Sequence, residues 1–323
     1  MHRVLGRSGI EVSAIGFGCW AIGGPFTIDG KPSGWGAVDD DESIAALRRA
    51  MDLGVTFFDT ADVYGAGHSE LVLGKALAGH RDEAVIATKF GYTFDISRRQ
   101  ATGLDASPAY IRKACEASLQ RLGTDWIDLY QLHVGDLPAA AAVEAAGTLD
   151  ELVADGLIRA YGWSTDDTQA AAAFARGTGC AAIQHELNVL ADRPEMLAVC
   201  ERANLASVNR GPLAMGLLSG KYGAASAVPA DDVRATQPWV SYFAGGRPAP
   251  EWLTRMDAIR AVLTKDGRTL AQGALGWLLA CSPQTVPIPG IRTVRQAEEN
   301  AAALRLGPLP GADMAEIARL LDR

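Results

Sequence analysis

Eight short apolar or β-branched runs, each followed by a longer segment with helical spacing, predict an α/β fold, specifically a (β/α)8 TIM barrel. Two further observations agree. No Pro/Ser-rich linker and no short-period repeat divides the 323 residues, so residues 1–323 read as a single (β/α)8 barrel domain. That length also exceeds the roughly 250 residues typical of a closed barrel, which leaves room for an N-terminal β-hairpin and a long loop.

The elements follow in order. Residues 1–13 alternate like a small hairpin turning at Ser8 and Gly9. Strands are expected at 14–18, 55–59, 84–89, 128–133, 159–164, 181–186, 205–210 and 285–289. Between them, 41–53 places Ile44, Leu47, Ala50, Met51 and Leu53 on one apolar stripe, turns Arg48, Arg49 and Asp52 away from it, and stops at Gly54. In 107–122, Ser107 and Pro108 form a cap and first-turn pair, and Gly123 ends the helix. Residues 139–154 form the next helix, closing at Asp155 and Gly156. Residues 219–250 are rich in Gly, Pro, Ala and aromatics and form the long loop.

Composition narrows the function classes. The 48% hydrophobic content supplies a large core, and a net charge of -8 without any basic stripe argues against a nucleic-acid partner. No run approaches the eighteen or so apolar residues of a membrane span, and charge and glycine interrupt the first residues where a signal peptide needs an apolar core. Five scattered cysteines without a C-x-x-C pair fit a reducing cytoplasm, and five histidines without clustered thiols argue against a catalytic metal.

Four short patterns are decoys. Gly16, Gly18 and Ala21 follow a strand as a dinucleotide fingerprint would, with Asp39 to Asp41 about twenty positions on, but Ile22, Gly23, Gly24 and Pro25 cannot open the helix it requires. Residues 216–221 are one residue short of a phosphate loop, and Tyr222 stands where its hydroxyl residue belongs. Gly162, Trp163 and Ser164 lack the second glycine of a nucleophile elbow. His185 and Glu186 lack the second histidine of a zinc helix.

The most informative stretch is FFDTADVYGAGHSE at 57–70, which puts a carboxylate at a strand end and a tyrosine five residues later in a glycine-punctuated loop. With it come GFGCW near the start, IATKF at 86–90, DLYQLH at 128–133, GWST at 162–165, IQHELN at 183–188, RGPLAMGLLSGK at 210–221 and IPGIRTVRQAEEN at 288–300. In this order they resemble the aldo-keto reductase family over nearly the whole chain. Each of these motifs ends one of the eight predicted strands, and the C-terminal strand ends of a barrel converge on one face.

The resemblance implies a catalytic tetrad of Asp59, Tyr64, Lys89 and His133, with NADP(H) bound in extended form without a Rossmann domain. Carbonyl reduction by hydride delivery leaves charge on oxygen, which an acid must protonate. A phenol titrates near pH 10, so Lys89 is expected to lower the Tyr64 pKa, with Asp59 holding Lys89 charged and His133 orienting the carbonyl. Ser164 and Gln184 are expected on the nicotinamide carboxamide, with Thr165 where the family more often has asparagine. Arg210 replaces an aromatic that stacks on the nicotinamide and is expected to disfavour NADP+ relative to NADPH. Pro212, Leu213, Gly216, Leu218, Ser219 and Lys221 match the loop over the pyrophosphate. Gly290, Arg292, Gln296, Glu299 and Asn300 match the adenosine site, with Arg292 on a 2'-phosphate, so the long loop is cofactor-covering and NADPH is preferred over NADH.

Trp20, Phe26, Phe90, Trp163, Trp239 and Tyr242, together with Phe243 and Trp252, are the expected aromatic walls of a pocket for a small aldehyde, ketone or sugar. Two alternatives share these residues: a channel-type regulatory subunit that senses NADPH, and a sugar or polyol dehydrogenase running in reverse. The oligomeric state is left open.

Overall fold

The computed structural model describes residues 1–323. Eight parallel strands form the barrel: β1 (Phe17–Gly18), β2 (Phe57–Asp59), β3 (Val85–Phe90), β4 (Ile127–Leu132), β5 (Ile158–Ser164), β6 (Cys180–Glu186), β7 (Ala206–Arg210) and β8 (Thr285–Pro287). Each pairs with its neighbour in chain order, and Gly16 and Gly18 donate to the carbonyls of Pro287 and Pro289, both at 3.0 Å, to join the last strand to the first. Most strand residues are buried on both faces, as parallel strands sheathed by helices must be. The first two strands are shorter than expected because 14–16 and 55–56 make few ladder bonds. The last stops at Pro287, since Pro287 and Pro289 have no N–H to continue the ladder.

Helices α1 (Asp40–Asp52), α2 (His68–Leu77), α3 (Pro108–Leu122), α4 (Ala139–Ala154), α5 (Thr168–Phe174) and α6 (Pro194–Ala203) each follow one strand. Asp39 caps α1 and Ser107 caps α3 through side-chain oxygens that accept backbone N–H groups, and Gly123 ends α3 in the left-handed conformation. On α1 the buried stripe is Ser43, Ala46, Leu47 and Ala50; Ile44, Met51 and Leu53 are half-buried beside it. After β7 come α7 (Pro250–Leu263) and the almost wholly buried α8 (Leu270–Cys281), and after β8 come α9 (Val294–Leu306) and α10 (Gly311–Leu320). No helix is long and apolar enough to cross a membrane.

Side-chain alternation along the strands builds two apolar layers. Phe57, Ala87, Leu129, Ala160, Val208 and Val286 fill the barrel interior. Phe58, Ile86, Phe90, Tyr130, Leu132, Tyr161 and Trp163 belong to the much larger layer between strands and helices. The N-terminal hairpin (His2–Val4 with Glu11–Ser13) inserts Leu5, Ile10 and Val12 into the inner layer and so plugs the end of the barrel opposite the C-terminal strand ends. Arg7 pins it by donating to the carbonyls of Ala175, Gly177 and Cys180.

One feature lies outside the sequence expectation. Thr27–Ile28 and Lys31–Pro32, from the arm after β1, join the hairpin Tyr92–Asp95 and Gln100–Leu104 in a four-stranded sheet. The arm continues to Trp35, which pairs with Asp232 of the long loop. Both insertions therefore lean on each other.

Candidate active site

Lys89 lies one residue before the end of β3, and the parallel register places it beside Gln131 of β4 and Gln131 beside Gly162 of β5, all facing inward. Its ammonium is fully buried and spends its three N–H groups on Asp59 Oδ1 at 2.5 Å, Thr60 O at 2.8 Å and Tyr64 Oη at 3.3 Å. The other Asp59 oxygen accepts from Gln131 Nε2 at 2.9 Å and Gln184 Nε2 at 2.8 Å. Asp59, Tyr64 and Lys89 thus form one hydrogen-bonded unit. Burial alone would discharge Lys89, but Asp59 and then Tyr64 reverse that effect, and its pKa lies above the ordinary lysine value.

Tyr64 reaches Lys89 because residues 60–65 fold back over β3: Thr60 N donates to Ala87 O and Asp62 N to Lys89 O. Gly65 makes this approach possible. It sits at φ +63°, and a Cβ there would lie 1.9 Å from Gly23 O. The expectation that Lys89 lowers the Tyr64 pKa is corrected in part. Burial raises it more than Lys89 lowers it, so the phenol stays protonated well past neutrality.

His133 follows β4 and meets the Tyr64 ring edge-on at 5.7 Å, with Tyr92 edge-on to its other side at 5.4 Å. Burial, helped by the charges of Lys89 and Arg210, pushes its pKa well below the usual range, so the imidazole is neutral, and its Nδ1 has no partner. Over Tyr64 stands a column of rings: Trp20 stacks on Tyr64 at 5.9 Å, and the exposed Trp239 of the long loop stacks on Trp20 at 6.1 Å. Trp35 meets Trp20 edge-on at 5.3 Å.

The remaining expected pocket residues divide. Phe26 is buried behind Tyr64 with Ala61 and Val63. Phe90 and Trp163 do not line the pocket. Strand alternation sends both outward, where Phe90 packs on Tyr130 at 4.6 Å and Trp163 packs on Phe174 at 5.3 Å. Tyr242 is buried and engaged, donating to Glu186 Oε1 and accepting from Asn188 Nδ2. Phe243 is buried beside Tyr222, and Trp252 packs on Tyr242.

Around the same rim lie the residues expected to hold a cofactor. Ser164, at the end of β5, is buried and its hydroxyl makes no hydrogen bond within the protein. Thr165, by contrast, donates to Gly135 O at 2.6 Å and accepts from Asp167 N, so it pins the loop. Arg210 is paired with Asp166, which offsets the charge expected to stand alone there. Pro212 and Leu218 are buried, Leu218 with its side chain in the outer core, while Leu213 and Gly216 are half-buried. Ser219 Oγ donates to Gly216 O, and Lys221 is exposed.

Gly290 borders Gly18 across the barrel seam. Arg292 donates to the carbonyls of Trp35 and Ala37, and Gln296 Oε1 accepts from Arg292 N; both are therefore partly occupied by the protein itself. The side chains of Glu299 and Asn300 make no hydrogen bonds.

A cavity of about 810 Å³ opens at the opposite, plugged end between Glu11, Arg81, Trp126 and Arg159, away from all of these groups. His185 is a structural residue: it bonds Ser207 Oγ at 2.7 Å, and burial lowers its pKa to about 4. Gln131, Trp35, Tyr92 and Asp166 were missed from sequence. Gln131 was legible in principle, because it stands two residues before His133 and hence on the same strand face.

The aldo/keto reductase family profile matches residues 14–322. The chain belongs to this family. It is 32% identical over 322 residues to a probable aldo-keto reductase 1 of Glycine max, covering 97% of this chain and 86% of the relative. Among solved structures, a glycerol dehydrogenase from Gluconobacter oxydans superposes with a TM-score of 0.82 at 31% identity, covering 100% of this chain and 95% of that one. An aldo-keto reductase from Klebsiella pneumoniae in complex with NADPH superposes with a TM-score of 0.72 at 30% identity, covering 99% of this chain and 95% of that one.

Proposed function

We propose that this aldo-keto reductase, acting as one barrel unit in the cytoplasm, uses NADPH to reduce small aldehydes and ketones, with Tyr64 as proton donor. The observation that carries the reading is the Asp59–Lys89–Tyr64 unit at the barrel rim, with a protonated phenol held 3.3 Å from a buried ammonium. Uncommitted groups support the cofactor's place: the Ser164 hydroxyl, the Asn300 amide and the Lys221 ammonium make no hydrogen bond or ion pair within the protein, Lys221 lying only over the Tyr222 ring at 4.9 Å. Gln184 reaches the same rim with its Nε2 on Asp59, leaving Oε1 to accept from a carboxamide. Lys221 and the backbone of residues 212–219 would meet the pyrophosphate, and the 290–300 segment the adenosine.

NADPH, when bound, supplies the hydride. The chain's own residues do the rest. His133, neutral, orients the carbonyl by donating a hydrogen bond to its oxygen. Tyr64 gives that oxygen its proton as charge develops, and Lys89 stabilises the phenolate left behind. Asp59 keeps Lys89 charged, and Gln131 with Gln184 fixes Asp59. Trp20, Trp35, Trp239 and Tyr92 shield the site from water.

The likeness to a glycerol dehydrogenase favours a second reading, oxidation of a polyol by the same residues in reverse. A panel of aldehydes and quinones with NADPH, alongside glycerol with NADP+, tests both. Turnover of carbonyls with NADPH is expected. Tight NADPH binding without turnover of any member would replace the enzyme reading with the regulatory one.

A further inference from the structure

The loop assigned above to the pyrophosphate contains three successive residues with positive φ: Ala214 at +49°, Met215 at +53° and Gly216 at +89°. Only the last is a glycine. Non-glycine residues occupy this region at a cost, and they stay there only where the surroundings over-determine them. One side chain reaches this turn from the middle of the long loop. Arg234, almost wholly buried, donates from Nη1 to Met215 O at 3.2 Å and to Tyr222 Oη at 2.6 Å.

The rest of the guanidinium is equally committed. Nε and Nη2 form a two-pronged pair with the buried carboxylate of Asp232 at 2.8 and 2.6 Å. Its Cζ lies 4.6 Å from the centroid of the Trp35 ring, 5.1 Å from that of Tyr222 and 5.2 Å from that of Phe243. Asp232 itself bridges to Trp35 of the arm after β1, and Val233 N donates to Gly34 O. A single planar cation therefore ties together the arm, the strained turn and the long loop. Lysine, a point charge without the fork, could not hold these partners at once.

We propose that Arg234 is the positioning residue of the cofactor-covering loop, holding Ala214–Gly216 in its left-handed run and so setting how tightly, and for how long, NADPH is kept. The proposal rests on the reading that this turn covers the pyrophosphate. Arg234 touches no reacting atom, so its loss acts on cofactor affinity and release while hydride transfer at saturating NADPH is preserved.

The test is NADPH binding to the unloaded chain, followed by protein fluorescence at equilibrium and by stopped-flow release, with thermal midpoints recorded for every variant. Arg234→Lys keeps a partner for Asp232 and is expected to weaken binding on the order of tenfold, through faster release. Tyr222→Phe removes one hydrogen bond and no charge, and is expected to weaken it by a smaller factor in the same direction; it carries the test if the lysine variant fails to fold.

Adding Met215→Gly to Arg234→Lys is expected to recover part of the loss, on the order of fivefold, because glycine takes the left-handed conformation without strain. A merely structural role would lower the thermal midpoint and leave affinity alone. Unchanged affinity in Arg234→Lys and Tyr222→Phe, or no recovery with Met215→Gly, would overturn the proposal. Failure of the wild-type chain itself to bind NADPH would instead overturn the cofactor reading on which it rests.

Discussion

At the scale of single residues, the site works by division of labour between burial and charge. Burial pushes Tyr64 above the ordinary phenol value and His133 well below the ordinary imidazole value. The sign of the pH dependence follows. A proton donor is competent below its own pKa and fails as pH rises through it, so kcat/KM for carbonyl reduction should be flat through neutrality and fall only above about pH 10. Burial and the nearby charges of Lys89 and Arg210 hold the His133 imidazole neutral through neutrality, so it should add no step near pH 6.5. A pH profile with an inflection near 6.5 would contradict the neutral imidazole. That Asp59, Tyr64, Lys89 and His133 would come together was legible in sequence, because each stands at a strand end or just beyond it, within a distinctive motif. The pKa balance was not, because it depends on how deeply the loop at 60–65 buries the phenol. Arg292 was read as a free phosphate ligand because nothing in the sequence announces that the carbonyls of Trp35 and Ala37 lie against it.

At the scale of elements, strand parity decides what an aromatic residue does. Phe90 follows the inward-facing Lys89 and must point outward, and Trp163 follows the inward-facing Gly162 in the same way. The motif-based reading overlooked this parity and placed both in the pocket. The long loop was recognised only by its Gly, Pro and aromatic content. Its role comes from contacts remote in sequence, above all Trp239 stacked on Trp20 over Tyr64. Stacked rings contribute about 0.5–1.5 kcal/mol beyond their buried area. Trp239→Ala should therefore cost roughly threefold to tenfold in kcat/KM for aromatic aldehydes and little for short aliphatic ones; steady-state kinetics on the two classes checks it. The hairpin plug makes a separate prediction. Leu5 is wholly buried in the inner core, so Leu5→Ala should lose about 2–5 kcal/mol in urea unfolding while leaving KM values unchanged in the folded enzyme.

At the scale of the whole molecule, the two ends of the barrel have separate tasks. The lower end is closed by the hairpin and carries stability. The upper end gathers residues from β2, β3, β4, β5, β6 and β7, brought together because parallel strands deliver all their C-terminal ends to one face. Barrel class and strand order were legible from the alternation of apolar runs and helices. The four-stranded sheet at 27–104 was not, since two of its strands are only two residues long and a single long-range pair, Thr27 with Gln100, joins its two local hairpins.

What the architecture exists to support, on this account, is one proton transfer at Tyr64. The most direct test is Tyr64→Phe, compared with the wild type for NADPH affinity and for kcat with a good aldehyde substrate. The account predicts unchanged affinity and a kcat lower by about 10² to 10⁴, the usual share of general acid catalysis. Undiminished turnover in Tyr64→Phe would contradict it.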